Sequence, residues 1–230
     1  MKSIVFDAGG IISLTINDLL WLLEPLKKGF NGDFYVSKAI KKEIVDKPLT
    51  TKRFKFEALK VLHYIDNGTV SIVDNKEIKK KTELLLDLAN NSFIANNQPI
   101  NIVHYGEISG IATALFNNSA AFVIDERTTR TLIEDPNRLK NILRHTLHTD
   151  IKINYNKLKE FQKLIGNIKI IRSVELVTIA YELGLLDKYL TNIQNPRQTL
   201  LDSVLWSVKL NGCAVSKREI EQIIKLEIKR

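Results

Sequence analysis

Acidic side chains follow two apolar segments that have the pattern of buried strands. Asp7 comes directly after Ile4-Val5-Phe6, and Asp125 comes directly after Phe122-Val123-Ile124. In an open parallel sheet the carboxyl ends of the strands meet at one edge, and ligands bind in the crevice beyond that edge. We therefore expect the two aspartates to face the same crevice.

Two further acids lie on predicted helices that would reach this crevice. Glu107 directly follows Gly106 at a helix start, and Glu43 falls on the same side of a short helix as Ile40 and Ile44. Each acid alone also has a structural explanation, as a helix cap, a favourable charge at a helix N-terminus or a solvated surface acid. Four converging acids are harder to explain in that way.

Carboxylates crowded into one crevice repel each other. At about 4 Å and an effective dielectric of about 20, each like-charged pair costs about 4 kcal/mol. Protonation of some acids or binding of divalent cations relieves this cost. Oxygen-only ligand sets suit Mg²⁺ or Mn²⁺, and such ions activate water and stabilise charge on a phosphodiester.

The charge of the whole chain favours a polyanionic partner. The 230 residues carry 34 Lys+Arg and 26 Asp+Glu, a net charge of +8, and the sequence pI is about 9.4. The last 100 residues hold 17 of the basic residues but only 11 of the acidic ones. Nucleic acid is the first partner to consider and an anionic membrane the second, while a solvated lysine-rich surface is the structural explanation. An acidic pocket with a basic flank is the charge layout of a nuclease.

Strand-like and helix-like segments alternate along the chain, which predicts an α/β fold with a mainly parallel sheet. Strands are predicted at 3–6, 34–36, 70–73, 120–124 and 168–171. Gly9-Gly10 is predicted to form a turn before a helix that runs from Thr15 to Gly29. The asparagine-rich stretch 90–101 is predicted to be a loop, residues 131–167 a basic helical segment, and residues 187–230 C-terminal helices.

The cysteine content and the distribution of apolar residues exclude several classes of protein. The one cysteine, Cys213, excludes an internal disulfide or a cysteine-based zinc site. Asp7 interrupts the N-terminus before any long apolar stretch, so no signal peptide is expected, and no run of about 18 apolar residues predicts a membrane span. We expect a soluble, cytoplasmic protein.

Several of these segments resemble the motifs of PIN domains, the ribonuclease fold that includes VapC-type toxins. The segment Ile4 to Ile12 is similar to the family's first motif, an acid after the first strand followed by small residues. Glu43 stands where the second acid falls, and Gly106 to Leu115 resembles the Gly-Glu helix. Val123 to Arg130 resembles the fourth motif, an acid pair followed by an arginine, and Ile170 to Leu186 resembles the last strand and helix.

The resemblance implies a fold, an activity and a set of site residues. The fold is a three-layer sandwich with about five mainly parallel strands, formed here by residues 1–230 as one domain with 131–167 inserted. The activity is Mg²⁺- or Mn²⁺-dependent hydrolysis of RNA. The implied catalytic and metal-binding acids are Asp7, Glu43, Glu107 and Asp125. Glu126 is a further candidate metal ligand, although the family more often has Asp or Asn at that position.

Three polar side chains that follow Asp125 and Glu126 in the sequence could contact substrate or could have a local structural role. Arg127 and Arg130 are candidates for phosphate contact, and Thr128 is a candidate for orienting water. The second interpretation pairs Arg130 with a local acid, and it is the one that we favour.

Several functions remain open at the level of the sequence. The ribonuclease could be the toxin of a toxin–antitoxin pair, with an antitoxin protein as partner, or an RNA-processing factor, and it could form a homodimer. A non-catalytic RNA-binding or assembly module on the same fold and a structure-specific DNA nuclease are also compatible with the motifs. A haloacid dehalogenase-type phosphatase ranks lower, because Gly9 stands where that family has its second aspartate.

Overall fold

The chain forms an α/β fold in the computed structural model, which describes residues 2–229. Its strands are β1 (Ser3–Phe6), β2 (Asp33–Ser37), β3 (Ser71–Val73), β4 (Phe93–Ala95), β5 (Gln98–Pro99), β6 (Ala121–Val123), β7 (Ile151–Ile153) and β8 (Ile170–Ile171). Its α-helices are α1 (Ala8–Ile16), α2 (Leu23–Phe30), α3 (Lys38–Lys41), α4 (Lys47–Leu49), α5 (Lys55–Asp66), α6 (Lys76–Asn90), α7 (Tyr105–Phe116), α8 (Arg127–Glu134), α9 (Pro136–Leu147), α10 (Tyr155–Ile165), α11 (Ser173–Glu182), α12 (Pro196–Leu210) and α13 (Lys217–Glu227). Shorter 3₁₀ turns lie at Leu20–Leu22 and Asp187–Tyr189, and one π-helical turn lies at Lys42–Asp46.

Five parallel strands form the main sheet, in the order β3-β2-β1-β6-β8. The central strand β1 pairs in parallel with β2, with Ile4 opposite Phe34, and with β6, with Val5 opposite Phe122. The predicted α/β class with a mainly parallel sheet of about five strands is confirmed.

Helices cover both faces of this sheet, which gives three layers. Successive side chains of a strand point to opposite faces. Ile4 and Phe6 therefore pack into one core with α1, α2, α11 and α12, and Val5 packs into a second core with α6, α7 and α10.

The first helix begins earlier than predicted. The carboxylate of Asp7 accepts a hydrogen bond from the Gly9 N–H (3.1 Å) and so caps α1, which starts at Ala8 and contains both glycines. The predicted turn at Gly9-Gly10 and the predicted single helix from Thr15 to Gly29 are wrong. Asp18 adopts a positive φ of 55°, which ends the first helical segment before the 3₁₀ turn and α2.

The asparagine-rich stretch 90–101 is not a loop throughout, because it contains the hairpin β4–β5. Asn96 and Asn97 have φ values of 50° and 61°, the left-handed conformation that a two-residue hairpin turn requires and that asparagine tolerates. The prediction missed a hairpin whose turn is built from the same asparagines that suggested a loop.

The predicted helical segment 131–167 contains a strand between its helices. Strand β7 pairs antiparallel with β4, with Ile94 opposite Lys152, so β5-β4-β7 form a second, three-stranded sheet. Ile151 is fully buried while Lys152 is exposed, and this alternation fits a strand with one buried face. The helices α9 and α10 on either side follow the prediction.

The C-terminal region is largely helical, as α12 and α13. The predicted helix near Asp187 is only a 3₁₀ turn, and Arg230, the end of the last predicted helix, lies outside the described residues. Among residues 2–229, no helix has the length and apolarity that crossing a bilayer requires.

The spacing between α7 and the sheet depends on Gly110. A Cβ added there would lie 2.6 Å from Cε2 of Phe122, whose ring is fully buried. We expect Gly110→Ala to lower the free energy of unfolding by about 1–3 kcal/mol, the usual cost of overpacking a core. Urea unfolding monitored by circular dichroism measures it.

The matched control is Gly29→Ala, in α2, where an added Cβ meets nothing within 4 Å. Alanine in an exposed helical position stabilises by roughly 0.5–1 kcal/mol relative to glycine. A Gly110→Ala protein as stable as the Gly29→Ala protein would show that α7 does not approach the sheet this closely.

Candidate active site

The order of the strands places a topological switch point between β1 and β6. From β1 the chain adds β2 and β3 on one side, then returns to add β6 and β8 on the other. A crevice forms where the order reverses, beyond the carboxyl ends of the strands. Asp7 directly follows β1 and Asp125 lies two residues beyond β6, so both predicted aspartates lie at this crevice.

Asp7 is an ionisable group in a buried position, with only 4% of its surface exposed. Burial is the largest cause that raises its pKa, and the negative charges of Glu107 and Glu43 add to it. Hydrogen bonds from the Gly9 and Ala8 N–H groups act in the opposite direction, and the resulting pKa of Asp7 is about 7. Near neutral pH this carboxyl therefore needs either a proton or a nearby cation.

Glu107 lies in the first turn of α7, where its carboxylate is held by two donors. Its Oε2 accepts hydrogen bonds from the His104 N–H (2.9 Å) and from the Thr129 hydroxyl (3.0 Å). Burial raises the pKa of Glu107, and the charge of Glu126 raises it further. The carboxylate is therefore fixed in orientation and electrostatically coupled to its neighbours.

Glu43 lies in the π-helical turn between α3 and α4, and its side chain is exposed. The carboxylate packs against Gly106, because a Cβ at that glycine would lie 2.9 Å from Oε2 of Glu43. Single π turns within α-helices are frequent at functional sites, where the extra residue re-aims a side chain. This contact brings the second predicted acid beside the helix that carries Glu107.

Asp125 is 2% exposed and both of its oxygens are engaged by Ser173. The Ser173 N–H donates to Oδ1 and its hydroxyl donates to Oδ2, each at 2.7 Å. Gly9 separates Asp125 from Asp7, since an added Cβ would lie 3.5 Å from both Cβ of Asp125 and Oδ2 of Asp7. The absence of a side chain at Gly9 thus leaves space between the two aspartates.

Glu126 is the N-terminal cap of helix α8. Its Oε1 and Oε2 accept hydrogen bonds from the N–H groups of Thr128 and Thr129, each at 2.6 Å, and cap α8. Through its charge it also raises the pKa of Glu107. Each oxygen of Glu126 keeps a second lone pair, so its role as a further metal ligand stays a prediction.

The two candidate arginines have different surroundings. Arg130 lies 3.6 Å from Glu134 and donates a hydrogen bond to the Ala214 carbonyl (3.3 Å), so it forms the favoured local pairing with an acid. Arg127 is exposed and forms no ion pair with another residue of the described chain. Contact of either residue with phosphate stays a prediction.

The residues that hold Asp125 in place were missed by the sequence reasoning. The sequence indicates only a helix start at Ser173, although a hydroxyl residue at the end of the last strand could have signalled a partner for the acid at the end of the preceding one. Arg172 is also engaged nearby, with hydrogen bonds to Glu175, to Glu219 (2.8 Å) and to the Ala214 carbonyl (3.1 Å). Cys213 contributes a buried thiol whose pKa is raised to about 12, mainly by burial and then by the charge of Asp125.

The predicted acids meet at one crevice but do not form a closed cage. Among residues 2–229, no three histidine, cysteine, aspartate or glutamate side chains are arranged so that they could hold a metal ion as they stand. Comparisons with protein-family models, with curated proteins and with solved structures found no match. The functional assignment therefore depends on the residues and on their arrangement.

The raised pKa of Asp7 predicts a pH-dependent stability. From pH 4 to 7 the unfolded chain loses a proton that the folded protein keeps, because the carboxyl titrates near 3.8 when unperturbed and near 7 when folded. The free energy of unfolding should therefore fall as the pH rises through this window. Asp7→Asn should remove this fall and stabilise the protein at pH 8 by a few kcal/mol, since one pKa unit corresponds to about 1.4 kcal/mol.

Urea unfolding at pH 5 and at pH 8, without divalent metal, measures the effect. Asparagine retains an oxygen that can cap α1, so the comparison isolates the charge. Asp66→Asn, at the exposed end of α5, is the control for loss of one carboxylate. An Asp7→Asn protein with the same pH dependence as the wild type would contradict a raised pKa at Asp7.

Proposed function

We propose that this chain is a metal-dependent endoribonuclease that hydrolyses phosphodiester bonds of RNA. The observation that carries the proposal is the buried Asp7 carboxyl, whose pKa rises to about 7 under burial and the charges of Glu107 and Glu43. Strongly perturbed carboxyls at the switch point of a parallel sheet are typical of functional sites. The resemblance of the sequence motifs to PIN domains supports the same activity.

The donor set fits a hard divalent cation by its chemistry. It consists of carboxylate oxygens, the ligands that Mg²⁺ and Mn²⁺ prefer, and a cation would relieve the repulsion that raises the pKa of Asp7. Asp7, Glu43, Glu107 and Asp125 would hold the ion or ions directly or through water, since each oxygen of Asp125 accepts one hydrogen bond from Ser173 and keeps a second lone pair. When bound, such an ion activates water and stabilises the charge that develops on the phosphate.

The residues of the chain orient these acids before any ligand binds. The His104 N–H and the Thr129 hydroxyl fix Glu107, and the Gly9 N–H fixes Asp7 at the start of α1. Preorganised carboxylates reduce the reorganisation that a reaction would otherwise require. We infer that Asp7 acts as a carboxylate, so the affinity for the metal should rise as the pH increases and the Asp7 proton is lost.

The biological setting follows from the same proposal. We expect the protein to act on single-stranded or structured RNA in the cytoplasm. It could act either as the toxin of a toxin–antitoxin pair, bound by an antitoxin, or as an RNA-processing factor. Homodimer formation stays a prediction.

Cleavage of RNA tests the proposed function. Wild-type protein should cleave labelled single-stranded RNA with Mg²⁺ or Mn²⁺ and not with EDTA. Asp7→Asn and Asp125→Asn should each lower the rate by about 100-fold or more, because each removes a charge from the crevice. Gel analysis of time courses measures the rates, with Asp66→Asn as the control that should cleave at the wild-type rate.

A non-catalytic RNA-binding module is the second candidate. One observation favours it: among residues 2–229 the acids form no ready metal cage. Wild-type protein that binds RNA but leaves it intact with every metal would replace the first proposal by this one. Cleavage of flapped DNA in preference to RNA would instead indicate a structure-specific DNA nuclease.

Metal binding should also stabilise the fold. A ligand that binds only the folded state raises stability by RT ln(1 + [L]/Kd), about 2.7 kcal/mol at a hundredfold excess over Kd. Millimolar Mn²⁺ or Mg²⁺ should therefore raise the melting temperature of the wild type by several degrees and shift Asp7→Asn much less. Differential scanning fluorimetry measures both, and equal shifts in the two proteins would place the metal elsewhere.

A further inference from the structure

Two cavities of different character meet at Glu43. The first, of about 490 Å³, is lined largely by polar and basic side chains, among them Lys38, Lys42 and Lys79. The second, of about 400 Å³, is lined largely by apolar side chains and lies on the other side of the π turn. Volumes of roughly 300–1,000 Å³ are typical of sites that bind small molecules or single chemical groups.

The apolar cavity leaves large hydrophobic side chains in contact with solvent. Ile12, Ile16 and Phe54 line it and are 38%, 43% and 45% exposed. Ile44 and Val61 form its buried wall. These side chains line one concave surface that adjoins a proposed catalytic acid, and apolar concave surfaces of this kind are where ligands bind.

Phe54 adopts an unusual backbone conformation at the mouth of this cavity. Its φ is +61°, a left-handed value that is a genuine outlier for a bulky side chain. The Thr51 hydroxyl lies within hydrogen-bond distance of the carbonyls of Pro48 (3.0 Å) and Arg53 (2.8 Å), which share its one proton and shape the preceding loop. The guanidinium carbon of Arg53 lies 4.6 Å from the centre of the Phe54 ring. Residues held in such conformations cluster at ligand sites.

Charged side chains of both signs lie at the apolar cavity, with the cations in excess. Lys47 and Arg53 line it together with the acids Glu43 and Glu57, while Lys52 in the exposed loop and Lys55 at the start of α5 lie close to Arg53 in the chain. None of the four cations forms an ion pair with another residue between positions 2 and 229, whereas neighbouring Lys60 is paired with Asp18. Unpaired cations around an apolar, aromatic cavity complement a ligand that has an anionic backbone and a flat apolar ring.

We propose that the apolar cavity binds one nucleobase of a single-stranded RNA, stacked on Phe54, with the adjoining phosphates on Lys47, Lys52 and Arg53. Base–aromatic stacking tolerates every base, and duplex bases are already stacked and cannot enter. The base site rests on the proposed ribonuclease function. Glu43 lines the cavity and is also one of the proposed metal-binding acids, so a strand whose base lies in the cavity would have its next phosphodiester beside the proposed metal site. It goes beyond that function by assigning where and how the strand is held.

Binding in EDTA tests the base site without cleavage. The probes are a short fluorescein-labelled single-stranded RNA and a strand of the same length made of abasic riboses, which keeps the phosphates and removes the bases. Fluorescence anisotropy should show that the wild type binds the intact strand about tenfold more tightly than the abasic one. Phe54→Ala should abolish most of this preference, and Phe54→Tyr should retain it.

The matched control is Phe56→Ala. Phe56 is 66% exposed, has Lys60 5.2 Å from its ring centre and lies outside the cavity lining, so it is, like Phe54, an exposed aromatic ring beside a cation. Its substitution should leave the preference unchanged. If the Phe54→Ala protein has a much lower melting temperature than the wild type, the Phe54→Leu protein is used in its place, since leucine fills most of the same apolar space and lacks the aromatic face.

The outcomes separate the base site from the proposed function. Equal preference in the Phe54→Ala and Phe56→Ala proteins would overturn the base site, even if the wild type cleaves RNA. Phe54-dependent preference in a wild type that cleaves nothing would support the base site and overturn the ribonuclease. No RNA binding by the wild type at low salt would overturn the base site.

Discussion

The buried carboxyl of Asp7 is the constraint on which the organisation of the site depends. Asp7 follows the central strand β1 directly, where the neighbouring strands and α1 exclude water from it. None of the ion pairs formed within residues 2–229 includes Asp7, and the nearby arginines are directed elsewhere, to the Ala214 carbonyl and to Glu134, Glu175 and Glu219. The fold thus places other carboxyls near the buried Asp7 and gives it no ion pair. This cost is relieved either by a proton on Asp7, whose pKa is raised, or by a cation such as the metal proposed above.

Glycines set how closely the acids can approach one another. Gly9 lies between Asp7 and Asp125, and Gly106 lies against the carboxylate of Glu43. A methyl group at Gly106 would lie 2.9 Å from Oε2 of Glu43 and displace it, whereas one at Gly9 would fill the space between the two aspartates at ordinary contact distance. Gly110 lies one turn after Gly106 in α7, and its lack of a side chain allows that helix to pack against Phe122. The small residues of the motifs therefore have a steric role that is separate from any turn.

The parts of the structure that depend on local patterns could be predicted from the sequence. Alternating apolar and helical segments gave the α/β class, and acids placed directly after apolar strands gave Asp7 and Asp125 at the crevice. Predictions failed where long-range pairing decides the conformation. Strand β7 exists because Ile151 is buried against a hairpin more than fifty residues earlier, and no property of residues 131–167 alone reveals that partner. The hydrogen bonds of Ser173 to Asp125 were equally hidden, because they join residues 48 positions apart.

The two sides of the candidate site differ in how firmly they are held. On the β8 side, Ser173 binds Asp125, and Arg172 ties the start of α11 to Glu219 at the start of α13. On the opposite side, Glu43 rests on a π turn beside an exposed loop with unpaired cations. Regions with few buried contacts open at lower free energy than those joined by buried networks. If the chain binds an RNA strand as proposed, the region around Glu43 would adjust to the strand more easily than the Asp125 side, which the hydrogen bonds of Ser173 and Arg172 hold in place.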